Sequence, residues 1–150
     1  MNSVIEQVIL EYDWDRKYAK SVAFEYMRFL DLRHEDPDLS PSDDIDRFWH
    51  QHILNTKSYF TYCFKKYAQI VHHNPADAYD QKARAVRLKN TIAAYIEKFG
   101  PIKSKKIWAS GKESTKKVVD YYSDSDEEIL AKKPSGKACG AKKHSDGRKC

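Results

Sequence analysis

Of the six histidines in this chain, two stand two positions apart in "DRFWHQHIL", as His50 and His52, and two are adjacent in "IVHHNP", as His72 and His73. Cys63 lies between the pairs. Imidazole and thiolate are the common donors for zinc and its neighbours, and histidine is also the side chain that titrates closest to neutral pH. A metal centre and a proton-transfer site are therefore both open. The spacing matches neither paired C-x-x-C nor H-E-x-x-H, the standard zinc signatures. Nucleophilic catalysis by Cys63 with a histidine is weaker, because a thiol inside an apolar stripe is more often inert than activated.

What these residues can do depends on the elements that carry them. Apolar residues recur at three and four positions and no run alternates with period two, so the body reads as helices throughout. A first helix is expected over Ser3 to Tyr12, and a second from Arg16 to Leu32 behind an Asp15 cap, with Ala19, Val22, Tyr26, Phe29 and Leu30 facing inward. Pro37 interrupts. Ser40, Pro41 and Asp43 then read as N-cap, first-turn proline and an acidic third residue, opening a helix from Pro41 to Leu54. After the Asn55–Thr56 joint, "KSYFTYCFKKYAQIVHH" supplies a fourth helix with Tyr59, Cys63, Tyr67 and Ile70 down one side, so His72 and His73 are expected near its C-terminal end. A fifth runs from near Ala76 to Phe99, stopped by Gly100 and Pro101. The fold class is all-α, a compact antiparallel bundle of about five helices, with domain 1–109 and a disordered charged tail over 110–150.

On the helix of the opening stretch, Ile45, Phe48, Trp49, His52 and Ile53 form one apolar stripe. His52 therefore points into the core. His50 lies about 200 degrees away, so the two cannot chelate one ion from a regular helix. His50 sits one turn after Asp46, whose carboxylate can accept its ring N–H and orient it, with Tyr59 as a further supporting group. A ligand set drawn from His50, His52, Cys63, His72 and His73 requires the two middle helices to fold back in register. The plainer alternative keeps His52 as a hydrogen-bonded core residue, pairs His50 with Asp46, buries Cys63 as a thiol and lets His72 and His73 cap a helix end.

The segments "YMRFLDL", "DIDRFWHQHILNTKSYFTYC", "IVHHNP" and "TIAAYIEKFGPIKSKKIW" resemble, in that order, the glycine-rich-domain-protein-like family of largely uncharacterised helical domains, over roughly residues 24 to 108. The resemblance puts that family's recurrent positions on Asp46, Trp49, His50, Ile53, Leu54, Thr56, Tyr59, Cys63, His72, His73 and Pro75, with His50, His72 and His73 as its polar core. It implies histidines acting together but no reaction. The chain departs from the family in having no glycine-rich segment and only five glycines in all.

Charge divides the chain in two. Residues 1–100 carry 14 basic and 15 acidic side chains, while residues 101–150 carry 13 and 7. The last twenty residues hold Lys132, Lys133, Lys137, Lys142, Lys143, Arg148 and Lys149 against one acid, a composition that neutralises phosphates without reading sequence. "DSDEE" upstream would compete for those lysines, more so if Ser123 or Ser125 were phosphorylated. Cys139, His144 and Cys150 imitate the end of a zinc knuckle but lack its first cysteine. The ending also resembles lysine, glycine and cysteine endings on some proteins of large DNA viruses, which implies a virion or viral-factory role as an alternative.

No apolar run approaches a bilayer span, the first residues are acidic where a signal peptide is basic, and three cysteines make no framework. An intracellular protein with no membrane segment is expected. Two functions follow. One is a small helical binding or interaction domain with a histidine site for zinc or iron. The other is a non-enzymatic scaffolding protein whose basic tail binds nucleic acid or an acidic protein partner. Catalysis without metal finds no recognisable nucleophile and base pair.

Overall fold

The computed structural model of the chain describes residues 1–74, 80–111 and 119. Among the described residues there are six helices and no strand: α1 (Asn2–Tyr12), α2 (Arg16–Glu35), α3 (Asp43–Leu54), α4 (Thr56–Tyr67), α5 (Gln81–Phe99) and the short α6 (Lys105–Trp108). The helical bundle read from periodicity is therefore the fold, with one extra turn of helix where "KKIW" docks. No described helix is long and apolar enough to cross a membrane.

The middle helix α3 organises the rest, packing against α1, α2, α4 and α6, while α5 lies on α2. Its Ile45, Phe48, Trp49 and His52 are buried, and Arg47 and His50 face outward. Tyr26 and Phe29 of α2 meet this stripe as tilted and edge-on rings against Phe48 and Trp49, at 5.0 and 5.4 Å between centroids. Such offset aromatic pairs add roughly 0.5–1.5 kcal/mol beyond the area they bury. Asp15 caps α2 as expected, its carboxylate accepting from the Tyr18 N–H at 2.9 Å. Beyond the main body, Val119 is also buried with the core.

The start of α3 differs from the sequence expectation. Ser42, not Ser40, is the N-cap residue, and its hydroxyl caps nothing. The exposed N–H groups of the first turn are instead taken by Ser110, whose Oγ accepts from Asp44 at 2.9 Å. Ser40 has been drawn away by α5: the Thr91 hydroxyl accepts from the Ser40 N–H at 3.0 Å and donates to its carbonyl at 2.8 Å. Both groups are fully buried, so an isosteric Thr91→Val change should strand them and cost about 1–3 kcal/mol. Urea denaturation of the two proteins measures this. A loss below about 0.3 kcal/mol would show that water replaces the hydroxyl.

Candidate metal centre

Asp46 and His50 stand one turn apart on the solvent edge of α3, and His73 reaches them from the chain beyond α4. That helix ends earlier than its periodicity suggests. Ala68 takes a left-handed conformation with φ 57°, and residues 70–74 run outside any helix. His72 and His73 are thus not at a helix end, a correction with a clear physical cause. Val71 is buried, and its carbonyl accepts a hydrogen bond from the Tyr59 hydroxyl, which pulls the strand of chain across the face of α4.

The same hydroxyl accepts from Trp49 Nε1 at 2.9 Å, and the Trp49 ring lies against the His73 imidazole at 4.4 Å between centroids. On the other side of the segment, buried Arg33 donates to the His72 carbonyl at 3.4 Å. Tyr59, Trp49 and Arg33 together hold His73 over α3. The sequence marks Tyr59 as a supporting group and Trp49 as a core residue, but carries no sign that Arg33 and the Trp49 ring position His73.

Donor atoms of three side chains converge. His73 Nε2 is 2.9 Å from Asp46 Oδ1 and 3.1 Å from His50 Nε2, and His50 Nε2 is 3.8 Å from Asp46 Oδ2. Burial pushes the Asp46 carboxyl up, but the hydrogen bond from His73 and the positive fields of His50, His73 and Arg84 outweigh it and hold the group below its ordinary value. Asp46 is thus a carboxylate. The expected pairing of Asp46 with His50 is not the one formed, since at 3.8 Å that contact is longer than a hydrogen bond and the carboxylate serves His73.

Counting protons in this cluster leaves one proton with two acceptors. A ring nitrogen has one in-plane position, holding either a proton or a lone pair. If His73 Nε2 carries a proton, that proton faces both Asp46 and His50 and at best is split between them. If it carries a lone pair to receive a proton from His50, it meets the carboxylate lone pair to lone pair at 2.9 Å. A cation among the three atoms would satisfy all of them at once.

The other residues expected to contribute are elsewhere. His72 turns to solvent, and Arg33 engages its carbonyl. Cys63 is a free thiol, fully buried in the core. His52 is fully buried, as its place on the stripe predicted, with Nδ1 at 2.9 Å from the Tyr26 hydroxyl and Nε2 at 3.1 Å from Ser58 Oγ. Among the described residues, Asp46, His50 and His73 form the one such convergence of three metal-ligating side chains. Pro75 and the tail residues, including Lys132, Lys133, Lys137, Lys142, Lys143, Arg148, Lys149, Cys139 and Cys150, lie outside the described residues.

His52 carries a pH dependence of its own. Burial, and then the positive chain terminus, push its imidazole down to about 4 from 6.5, while a hydrogen bond donated to the Ser58 backbone opposes the shift. As pH falls below 6.5 the unfolded chain takes up this proton before the folded one does, so stability drops until the folded group also protonates near 4. Between pH 7 and 4.5, in the presence of chelator, the loss from this group should be about 2 kcal/mol. His52→Gln should flatten the corresponding part of a urea-midpoint profile. Equal slopes in the two proteins would exclude His52 as the cause.

A family model described as UCP032817-like matches residues 13–107, nearly all of the helical body. The chain belongs to the UCP032817-like family. This overturns the resemblance to the glycine-rich-domain-protein-like family, whose shared positions include core residues such as Trp49, Tyr59 and Cys63. Many helical bundles need such residues, so they discriminate poorly between families. The UCP032817-like family is uncharacterised, and the matched span contains Asp46, His50 and His73 together with Tyr59, Trp49 and Arg33. No curated protein and no solved structure matches the chain.

Proposed function

We propose that this chain is a small helical binding module that holds one divalent transition-metal ion, zinc or iron, through Asp46, His50 and His73. The observation that carries the reading is the convergence of Asp46, His50 and His73, where a single ring proton has to serve two acceptors at once. Zinc bound at about 2.0–2.2 Å to tetrahedral nitrogen and oxygen ligands sets those ligands about 3.3 Å apart. The observed approaches, 2.9 and 3.1 Å from His73 Nε2 to Asp46 Oδ1 and His50 Nε2, and 3.8 Å from His50 Nε2 to Asp46 Oδ2, lie on either side of that value. Two imidazoles and a carboxylate suit zinc and ferrous iron, and a thiolate is not needed.

Three protein ligands leave coordination positions open. The His50 side chain is 50% exposed, so those positions face solvent, where water, a small anion or a donor from a protein partner could complete the shell. A bound water there would be acidified, and a bound carbonyl or phosphoryl group polarised. Residues His52, His72 and Cys63 are not part of this proposal, because other groups or the solvent claim them.

Protein purified without chelator should contain one metal ion per chain by elemental analysis. After chelator treatment it should rebind zinc in a calorimetric titration, and cobalt should give the visible absorption of a low-coordinate site. Zinc binding weaker than about 100 μM, roughly 5.5 kcal/mol, would leave the triad as a proton-sharing surface network.

A further inference from the structure

A second feature lies away from the metal site. A groove of about 840 Å³ runs along α2 and the chain that follows α5, and Arg16, Lys17, Lys20, Arg28 and Lys103 line it. Its acidic lining residue, Glu25, is 2% exposed and is occupied as an acceptor by the Tyr95 hydroxyl at 2.7 Å and Trp108 Nε1 at 3.1 Å. Residues 1–100 hold 14 basic and 15 acidic side chains, so five cations on one wall set are a concentration, not a reflection of overall charge. Glu6 at the rim binds Arg16, which leaves four. Among the described residues no carboxylate lies within 4 Å of the ammonium groups of Lys17, Lys20 or Lys103.

The groove also offers flat apolar surface. Phe24 is 48% exposed and presents part of its ring to the groove. The Arg28 guanidinium lies 4.3 Å from the Phe24 ring centroid and 5.0 Å from that of Phe99. Its NH1 donates to the Tyr95 hydroxyl at 2.6 Å, which fixes the plane. Lys17, Lys20, Phe24 and Arg28 fall at i, i+3, i+7 and i+11, one outward stripe of α2. Cations beside a pre-ordered aromatic and guanidinium shelf are what an unpaired polynucleotide requires, phosphates on the lysines and a base stacked on the ring. An acidic peptide would use the charges but leave Phe24 uncovered. A duplex keeps its bases stacked on one another.

From this we infer that the α2 groove binds single-stranded nucleic acid, independently of the metal site and of the basic tail. The test is fluorescence anisotropy of the full chain with a labelled 20-nucleotide oligothymidine at several salt concentrations. Three variants enter in the same full chain: Lys17→Glu with Lys20→Glu, Phe24→Ala, and replacement of the seven basic residues of 131–150 by glutamine. Charge reversal should weaken binding at least tenfold and reduce the salt slope by about 1.4, two contacts at about 0.7 each. Phe24→Ala should weaken it about tenfold with the slope unchanged, the size of one lost stacking contact. Both effects should persist when the tail is neutralised. If the double variant does not fold by circular dichroism, Lys103→Gln on the opposite wall, outside any helix, should reduce affinity two- to threefold. Affinity within twofold of the parent after Lys17 and Lys20 reversal overturns the inference, as does no effect of Phe24→Ala. Equal binding of a matched duplex, or displacement of the oligonucleotide by polyglutamate at equal charge, overturns it in favour of a general polyanion or an acidic protein.

Discussion

Replacing His73 with alanine is expected to lower zinc affinity on the order of a thousandfold, while His72→Ala leaves it within threefold. Structural zinc sites bind with about 10–16 kcal/mol shared among their ligands, so one ligand is worth about 3–4 kcal/mol. The two adjacent histidines make a stringent internal comparison, since only His73 approaches Asp46 and His50, and His72 is exposed. Linkage gives a second readout. Zinc at a hundred times its dissociation constant should stabilise the parent by about 2.7 kcal/mol, which for a domain of this size is about 10 °C or more in Tm. The His73→Ala protein should show no such shift. Without metal it should remain folded, because the lost contact is a partly exposed ring against Trp49. Asp46→Asn should behave like His73→Ala in metal affinity, as a neutral amide removes the charge from the site. If His73→Ala and His72→Ala bind zinc alike, the triad is not the site.

The second large effect concerns Trp108, in the segment that closes the bundle. Its side chain is fully buried, T-shaped on Tyr95 at 4.9 Å, and its Nε1 donates to buried Glu25. Trp108→Ala should cost about 3–5 kcal/mol, a large part of the 5–15 kcal/mol that holds a typical domain together. Part of that is the cavity, and part is the loss of a donor to a carboxylate in the interior. Trp108→Phe separates the two, keeping most of the ring and removing the donor, with an expected cost of about 1–3 kcal/mol. Urea denaturation followed by circular dichroism measures both. A cost below about 1 kcal/mol for the alanine variant would mean that α6 is an appendage to the domain and not part of its core.

Helix content and the face each helix buries were legible because they are local properties. The stripe Ile45, Phe48, Trp49 and His52 needs only the period of a helix to be read, and all four are buried. Asp15 as the cap of α2 is equally local, since its partner is three residues on. That His52 belongs to the core and cannot chelate with His50 followed from angle alone.

What the chain's own order did not reveal depends on partners far away along it. Ser40 looks like an N-cap until Thr91, 51 positions later, takes its backbone groups. The identity of the histidine that meets Asp46 turns on where α4 stops and how residues 70–74 cross the bundle. Tyr59 to Val71 and Arg33 to His72 settle that path by hydrogen bonds from side chains to carbonyls, and these leave no periodic trace. The sequence by itself therefore determined that this is a helical bundle with His50 and Asp46 on an outer edge of one helix and His52 inside. Only the tertiary structure decided that His73, and not His72 or Cys63, completes the cluster, because a non-helical segment is placed by long-range contacts and not by its own pattern.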